Sequence, residues 1–151
     1  MFNTYSILKK KTIDEIKARV AAFPWHEMPE DGGWGYGVNL DYMRSICTYW
    51  FDKFDWFTQQ SAINRFDHFT AATDGINIHF VHEKGSSDNA RPLIISHGWP
   101  GSVVEFLDII NLLAHFEQYG GKIDDDFDAV APSWPGFAFS GAPPDHGGRG
   151  V

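Results

Sequence analysis

Hydrophobic positions in the first two-fifths of the chain recur at helical spacing. Ile13, Ile16 and Val20 fall on one face. Thr12-Ile13-Asp14-Glu15 has the form of a capping box, with the hydroxyl first and the carboxylate three residues on. Pro24 and the stretch Gly32-Gly33-Trp34-Gly35-Tyr36-Gly37 end that helix and make a loop. Asn39 is placed to cap a second helix, in which Leu40, Met43, Ile46, Cys47, Trp50, Phe51 and Phe54 form a wide apolar stripe. Core packing accounts for such a stripe better than an aromatic binding box does. A short third helix is predicted from about Thr58 to Asn64.

At Phe69 the period changes. Ile76, Ile78 and Phe80 alternate with Asn77 and His79, the signature of a half-buried strand, and Asp74-Gly75 supplies a hairpin turn before it. Pro92-Leu93-Ile94-Ile95-Ser96 is a short, continuous apolar strand. It runs through His97-Gly98-Trp99-Pro100-Gly101-Ser102 into an amphipathic helix carrying Val103, Val104, Phe106, Leu107, Ile110 and Leu113. Phe127 to Ala131 is a further strand, ending at Pro132-Ser133-Trp134-Pro135-Gly136. Strand, helix, strand with short loops is a βαβ unit, so a parallel pair and an α/β fold follow. Neither internal repeats nor low-complexity segments interrupt this order.

Composition narrows the function classes. The 151 residues include 13 Phe, six Trp and five Tyr, enough aromatic area for a sizeable core or an apolar site. A formal charge of −8 argues against nucleic acid or an anionic membrane surface as partner. The single cysteine, Cys47, excludes an internal disulfide and fits a reducing compartment. No apolar run approaches the roughly 20 residues that span a bilayer, and Met1 to Ser6 lacks the order of a signal peptide. The expectation is a cytoplasmic protein off the membrane.

The strongest candidate chemistry lies where the apolar strand turns into its helix, at the carboxyl end of an open α/β sheet. Glycine frees the backbone there, and the proline after Trp99 fixes the turn and suits a cis bond. Together they aim the Trp99 amide N–H into the space above the sheet, where it can stabilise a developing oxyanion. The site residues expected are Trp99, through its N–H, with His97, Gly98 and Pro100 as support for the turn. His97 is assigned an orienting role, not that of a base.

These strings resemble the epoxide hydrolases of the α/β-hydrolase fold, in the microsomal and juvenile-hormone branch. His97 to Ser102 is similar to that family's oxyanion-hole motif, and Pro132 to Ser140 to its Pro-Ser-x-Pro-Gly-aromatic-x-aromatic-Ser landmark. Tyr49-Trp50, Asp55-Trp56, Asn64, Phe66, His68-Phe69 and Asp74 to Phe80 resemble its helical N-terminal domain and first hairpin. Phe57 and Gln60 depart from it, standing where the family usually has Arg and Glu; a coordinated surface change removes that ion pair. The resemblance implies a helical N-terminal domain over 1–67, then over 68–151 the first strands and first helix of an incomplete α/β-hydrolase sheet. It also implies a small-molecule epoxide as substrate and no cofactor.

In that family an Asp at a Gly-x-Asp-x-Gly elbow attacks the epoxide carbon. A His with an acidic partner activates water against the resulting ester, and cap tyrosines polarise the epoxide oxygen. All of these lie downstream of the last landmark found here, so the chain is expected to be truncated and inactive alone. Substitutes fail. Asp145-His146-Gly147 lacks the glycine and strand of an elbow, and no Gly-x-Ser-x-Gly is present. His79 and His82 face opposite sides of a strand and do not share a metal. Asp124, Asp125, Asp126 and Asp128 read as a solvated acidic turn, not a calcium loop. Gly120-Gly121-Lys122 is followed by Ile123, which excludes a phosphate loop. No metal is expected. The strand from Leu93 to Ile95 should present an unpaired sheet edge, through which the isolated chain self-associates. Alternatives are a non-catalytic association module, or part of an esterase or dehalogenase on the same scaffold.

Overall fold

The computed structural model describes residues 8–27, 29 and 33–143, so Asp145-His146-Gly147 and Gly32 lie outside the described residues. The chain forms two compact units, Ile7–Gln60 and the part from Ser61 onward.

In the first unit α1 (Lys10–Ala21) begins before the capping box expected at Thr12. Its N-cap is Lys9, with extended backbone and no side-chain cap. Thr12 already lies in the first turn, its N–H donating to the Lys9 carbonyl at 2.9 Å, so there is no helix end for its hydroxyl to close. Exposed i,i+4 ion pairs, Lys10–Asp14 at 2.7 Å and Lys11–Glu15 at 3.7 Å, run across that extra turn. α2 (Leu40–Asp52) starts as predicted: the Asn39 side chain accepts from the Tyr42 N–H at 2.9 Å. No side chain of α1 or α2 is fully buried. The apolar stripe of α2 therefore does not close into a core; Ile46, Trp50 and Phe54 from it, with Ile13 and Ile16, line an open apolar cleft of about 450 Å³.

α3 (Trp56–Ile63) starts two residues ahead of the predicted Thr58 because Asp55 caps it. The Asp55 carboxylate accepts from the Phe57 N–H at 3.0 Å, the Thr58 N–H at 3.3 Å and the Thr58 hydroxyl. These bonds, the hydroxyl's foremost, hold the Asp55 carboxyl below its ordinary range. At the divergent position 60, the Gln60 carboxamide oxygen accepts from the Trp56 indole at 3.2 Å and the Leu8 amide at 2.7 Å. Gln60 thus does more than leave a surface charge out.

The second unit is built on a four-stranded mixed sheet of order β1-β2-β4-β3. β1 (His68–Thr73) and β2 (Ile76–Glu83) pair antiparallel, β2 and β4 (Phe127–Pro132) likewise, and β3 (Arg91–Ile94) lies parallel to β4. The βαβ reading of the sequence is thereby met. Asp74 (φ 49°) and Gly75 (φ 78°) both sit in the left-handed region, as the tight turn between β1 and β2 demands. β3 is an edge strand, and Ile94 on it is 72% exposed.

Two expectations need correction. β2 alternates with period two, but the fully buried side is that of His79 and Val81, while Ile76, Ile78 and Phe80 are half-buried. The register decides it: Val81 pairs with Ala131, and Val81, Ala129 and Ala131 form the core with Val103 and Ile110. On the other face Phe80 is still covered, stacking on Phe69 with ring centroids 5.4 Å apart. The helix expected from Val103 to Leu113 is also broken, into a 3-10 turn (Val103–Phe106) and a short α4 (Ile110–Ala114). Val103-Val104 and Ile109-Ile110 are β-branched pairs, which lose side-chain freedom in a helix, and both fall in this stretch. Val103 and Ile110 are nevertheless the buried residues there, so the apolar face survives the break.

Among the described residues no helix is long and apolar enough to cross a membrane.

Candidate active-site turn

β3 delivers the chain to the turn. The Ile95 N–H still donates to the Val130 carbonyl at 3.0 Å, and past Ser96 the backbone leaves the sheet. His97, only 2% exposed, is held between two backbone segments. Its Nε2 accepts from the Trp134 N–H at 3.1 Å, so the ring proton sits on Nδ1, which donates to the Gly98 carbonyl at 3.0 Å. Both nitrogens are spent on main chain, leaving no atom free to take a proton from a reactant. In this geometry His97 ties the residue before Trp99 to the chain that follows β4.

The Trp99-Pro100 bond is cis. Trp99 is 80% exposed, and among the described residues its amide N–H has no acceptor. Ser102 and Glu105 close the far side: Ser102 Oγ accepts from the Val104 N–H at 3.3 Å and the Glu105 carboxylate from the Ser102 N–H at 2.9 Å. The glycines divide the work differently from the sequence reading. Gly98 lies outside the left-handed region, and a Cβ there would meet nothing within 4 Å. A Cβ on Gly101 would stand 2.1 Å from Glu105 Oε1 and 3.0 Å from the Gly98 carbonyl. Gly101 is thus the glycine on which the shape of the turn depends, and Gly98 leaves open space above it.

Beside the turn the Trp134 indole donates to Ser96 Oγ at 2.5 Å, and the His97, Trp134 and Phe137 rings cluster 5.3 to 6.4 Å apart. Trp99, His97, Gly98 and Pro100, the residues singled out in the sequence, thus share one turn over the ends of β3 and β4.

Sequence reasoning missed a second cluster. His68, His79 and Ser133 are 2%, 0% and 0% exposed. His68 Nε2 lies 2.9 Å from the Ile63 carbonyl, His68 Nδ1 2.8 Å from His79 Nε2, and His79 Nδ1 2.9 Å from Ser133 Oγ. Burial first, then the neighbouring His68, pushes the His79 pKa down to about 4. The available signal was its phase: His79 is two residues from Val81 and shares its face.

A third cluster has the outline of a nucleophilic triad without its chemistry. His115 Nε2 lies 3.0 Å from Glu83 Oε1, and its Nδ1 2.7 Å from Ser86 Oγ. The Ser86 hydroxyl, however, donates to Glu117 Oε1 at 2.9 Å. The nearby amides are spent as well: Gly85 on Asp128, Ser86 on the Ala114 carbonyl, Ser87 on Asp126. These three amides are therefore not open to an oxyanion, and the cluster cross-links the loop after β2 to the end of α4. Asp126 is buried, and Asp128 is half-buried. Their inward-facing bonds correct the solvated reading for these two, whereas Asp124 and Asp125 are exposed as expected. Among the described residues no group of three His, Cys, Asp or Glu is placed to hold a metal ion.

Comparison with known proteins decides the lineage. The family described as "Epoxide hydrolase N terminus" matches residues 3–106. The chain belongs to that family. A putative epoxide hydrolase of Stigmatella aurantiaca is 38% identical over 91% of this chain and 31% of its own length. Epoxide hydrolase 1 of Sus scrofa is 37% identical over 86% of this chain and 30% of its own. The epoxide hydrolase of Aspergillus niger superposes with a TM-score of 0.79 at 25% identity, over 95% of this chain and 40% of that one. The juvenile hormone epoxide hydrolase of Bombyx mori gives 0.79 at 30% identity, over 94% and 38%. The α/β class expected from the strand and helix order is that of these neighbours. The chain spans about a third of the length of the curated epoxide hydrolases it matches.

Proposed function

We propose that this chain provides the helical N-terminal domain, residues 1–67, and the first part of the α/β-hydrolase domain, residues 68–151, of an epoxide hydrolase acting on a small-molecule epoxide in the cytoplasm. The observation that carries the reading is the Trp99 amide N–H, which has no acceptor among the described residues, in the turn that follows β3 in a chain of this family. In the reaction, a carboxylate attacks an epoxide carbon, the C–O bond breaks as the ring oxygen takes a proton from a polarising tyrosine, and the carboxylate is left as an ester of the diol. Water, deprotonated by a base, then adds to the ester carbonyl and puts negative charge on its oxygen. The Trp99 N–H supplies one hydrogen bond to that oxygen. His97 keeps the turn in place, and Gly98 leaves room for the oxygen. As the carbonyl re-forms, the ester C–O bond breaks, the leaving oxygen takes back the proton held by the base, and the diol departs from the regenerated carboxylic group, whose proton passes to solvent. A donor of this kind is worth about 10²- to 10³-fold in rate.

Among the described residues no carboxylate, base and tyrosines are gathered at the Trp99 turn, and the chain is read as contributing part of a site. The test is to join residues 1–151 to the C-terminal two-thirds of the Stigmatella aurantiaca relative and assay diol formation. The joined protein is expected to turn over an aryl epoxide and the 151-residue chain is not. Turnover by the chain alone would refute the part-site reading. A folded joined protein that hydrolyses esters but no epoxide would favour the esterase-type scaffold instead.

A further inference from the structure

We infer that His79 and Ser133 are positioning residues for the turn at Trp99, acting on it through Trp134 and His97. The inference rests on the reading of Trp99 as oxyanion donor.

The hydrogen bonds have one consistent direction. His68 Nε2 faces the Ile63 carbonyl, so that nitrogen carries the proton and His68 Nδ1 is the acceptor. His79 Nε2 must then donate to it, which leaves His79 Nδ1 to accept from the Ser133 hydroxyl. His79 main chain holds the same serine twice more. The Ser133 N–H donates to the His79 carbonyl at 2.8 Å. The Ser133 carbonyl accepts from the Ser140 hydroxyl at 2.7 Å, whose oxygen accepts from the His79 N–H at 2.9 Å.

The decisive point is that the Ser133 carbonyl and the Trp134 N–H belong to one peptide unit, which is planar. Fixing the carbonyl end on Ser140 fixes the direction of the N–H end, and that N–H is the one donated to His97 Nε2. His97 in turn donates to the carbonyl of Gly98, the residue before Trp99. The clamp around His79 thus sets the plane of the strut that holds the turn. His79 and Ser133 are both fully buried, so losing one partner leaves the other's polar atom away from bulk solvent. Among the described residues the His79 side chain meets His68 from β1, Ser133 just past β4 and the edge-on Phe139 ring at 4.9 Å. Burial keeps the ring neutral at pH 7, as its single-acceptor role requires.

The experiment reads the Trp134 amide directly, on the ¹⁵N-labelled 151-residue chain, by hydrogen exchange and by the ring-nitrogen shifts of His97. Ser133→Ala removes the hydroxyl. His79→Asn places an acceptor near the Nδ1 position and gives up the His68 bond, whereas His79→Gln reaches toward His68 and gives up Ser133. Exchange at Trp134 is expected to rise about tenfold more than at β4 amides in Ser133→Ala and His79→Gln, and to stay near the parent value in His79→Asn. If Trp134 and β4 amides accelerate together, or if Asn and Gln behave alike, the residues serve only the core and the inference is wrong. Should the His79 variants not fold, Ser140→Ala gives the same discrimination, because it frees the Ser133 carbonyl alone. In the joined enzyme Ser133→Ala is expected to lower kcat with KM unchanged. A loosened Trp134 amide with full kcat would overturn the oxyanion role of Trp99 and leave the strut standing.

Discussion

Acidification from about pH 7.5 to about pH 4.5 protonates His79 in the unfolded chain well before it does so in the fold. The reference pKa is 6.5 and the folded value about 4, lowered by burial and by His68. Between these values the unfolded state binds the extra proton, so stability rises with pH across that window. The neutral ring's contribution is complete above about pH 6.5 and is lost as pH falls toward 4. At 1.36 kcal/mol per pH unit, a gap of about 2.5 units corresponds to about 3 kcal/mol, a large share of the 5–15 kcal/mol typical of a folded domain. The assay is urea denaturation of the parent and of His79→Gln at half-unit steps of pH. Subtracting one curve from the other removes the remaining titratable groups common to both. The parent's advantage is expected to shrink by about 3 kcal/mol between pH 7 and pH 4. Parallel curves over that range would refute the reasoning, since they would mean that the fold does not keep His79 neutral.

Two further outcomes follow from the turn and the sheet. Gly98→Ala meets no atom within 4 Å and should leave stability within about 0.5 kcal/mol, whereas Gly101→Ala displaces the Glu105 carboxylate from the Ser102 cap and should cost about 1–2 kcal/mol; urea denaturation of both variants checks the order. The isolated chain is expected to self-associate through β3, and Ile94→Lys, which puts a charge on the exposed edge, should shift it toward monomer in sedimentation velocity. A parent already monomeric at high concentration contradicts that expectation.

Much of the architecture was legible because the signals were local. Asn39 before an apolar stripe gave the start of α2, Asp74-Gly75 gave the turn, and the run from Pro92 to Ser96 gave β3. What failed depended on contacts distant in sequence. Which face of β2 goes inward is set by Val81 meeting Ala131, fifty residues on, and Ile76 and Ile78 gave the local pattern more weight on the wrong side. Asp126 looked like one of a run of solvated acids, yet it turns inward to accept from the Ser87 N–H at 2.7 Å. The capping box at Thr12 has the right letters, but the helix begins upstream of it. At the candidate site the motif residues were legible as a group. Their support was not, because Ser133 and His79 are 54 residues apart and meet only once the sheet is formed.

The most direct test of the account replaces Trp99 by its α-hydroxy acid in the joined enzyme. This exchanges one amide N–H for an ester oxygen and keeps the side chain. Single-turnover kinetics then separate formation of the alkyl-enzyme ester from its hydrolysis. The hydrolysis step is predicted to slow by about 10²- to 10³-fold while the first step changes little. Unaltered ester hydrolysis in that protein would contradict the assignment of the Trp99 N–H as the oxyanion donor.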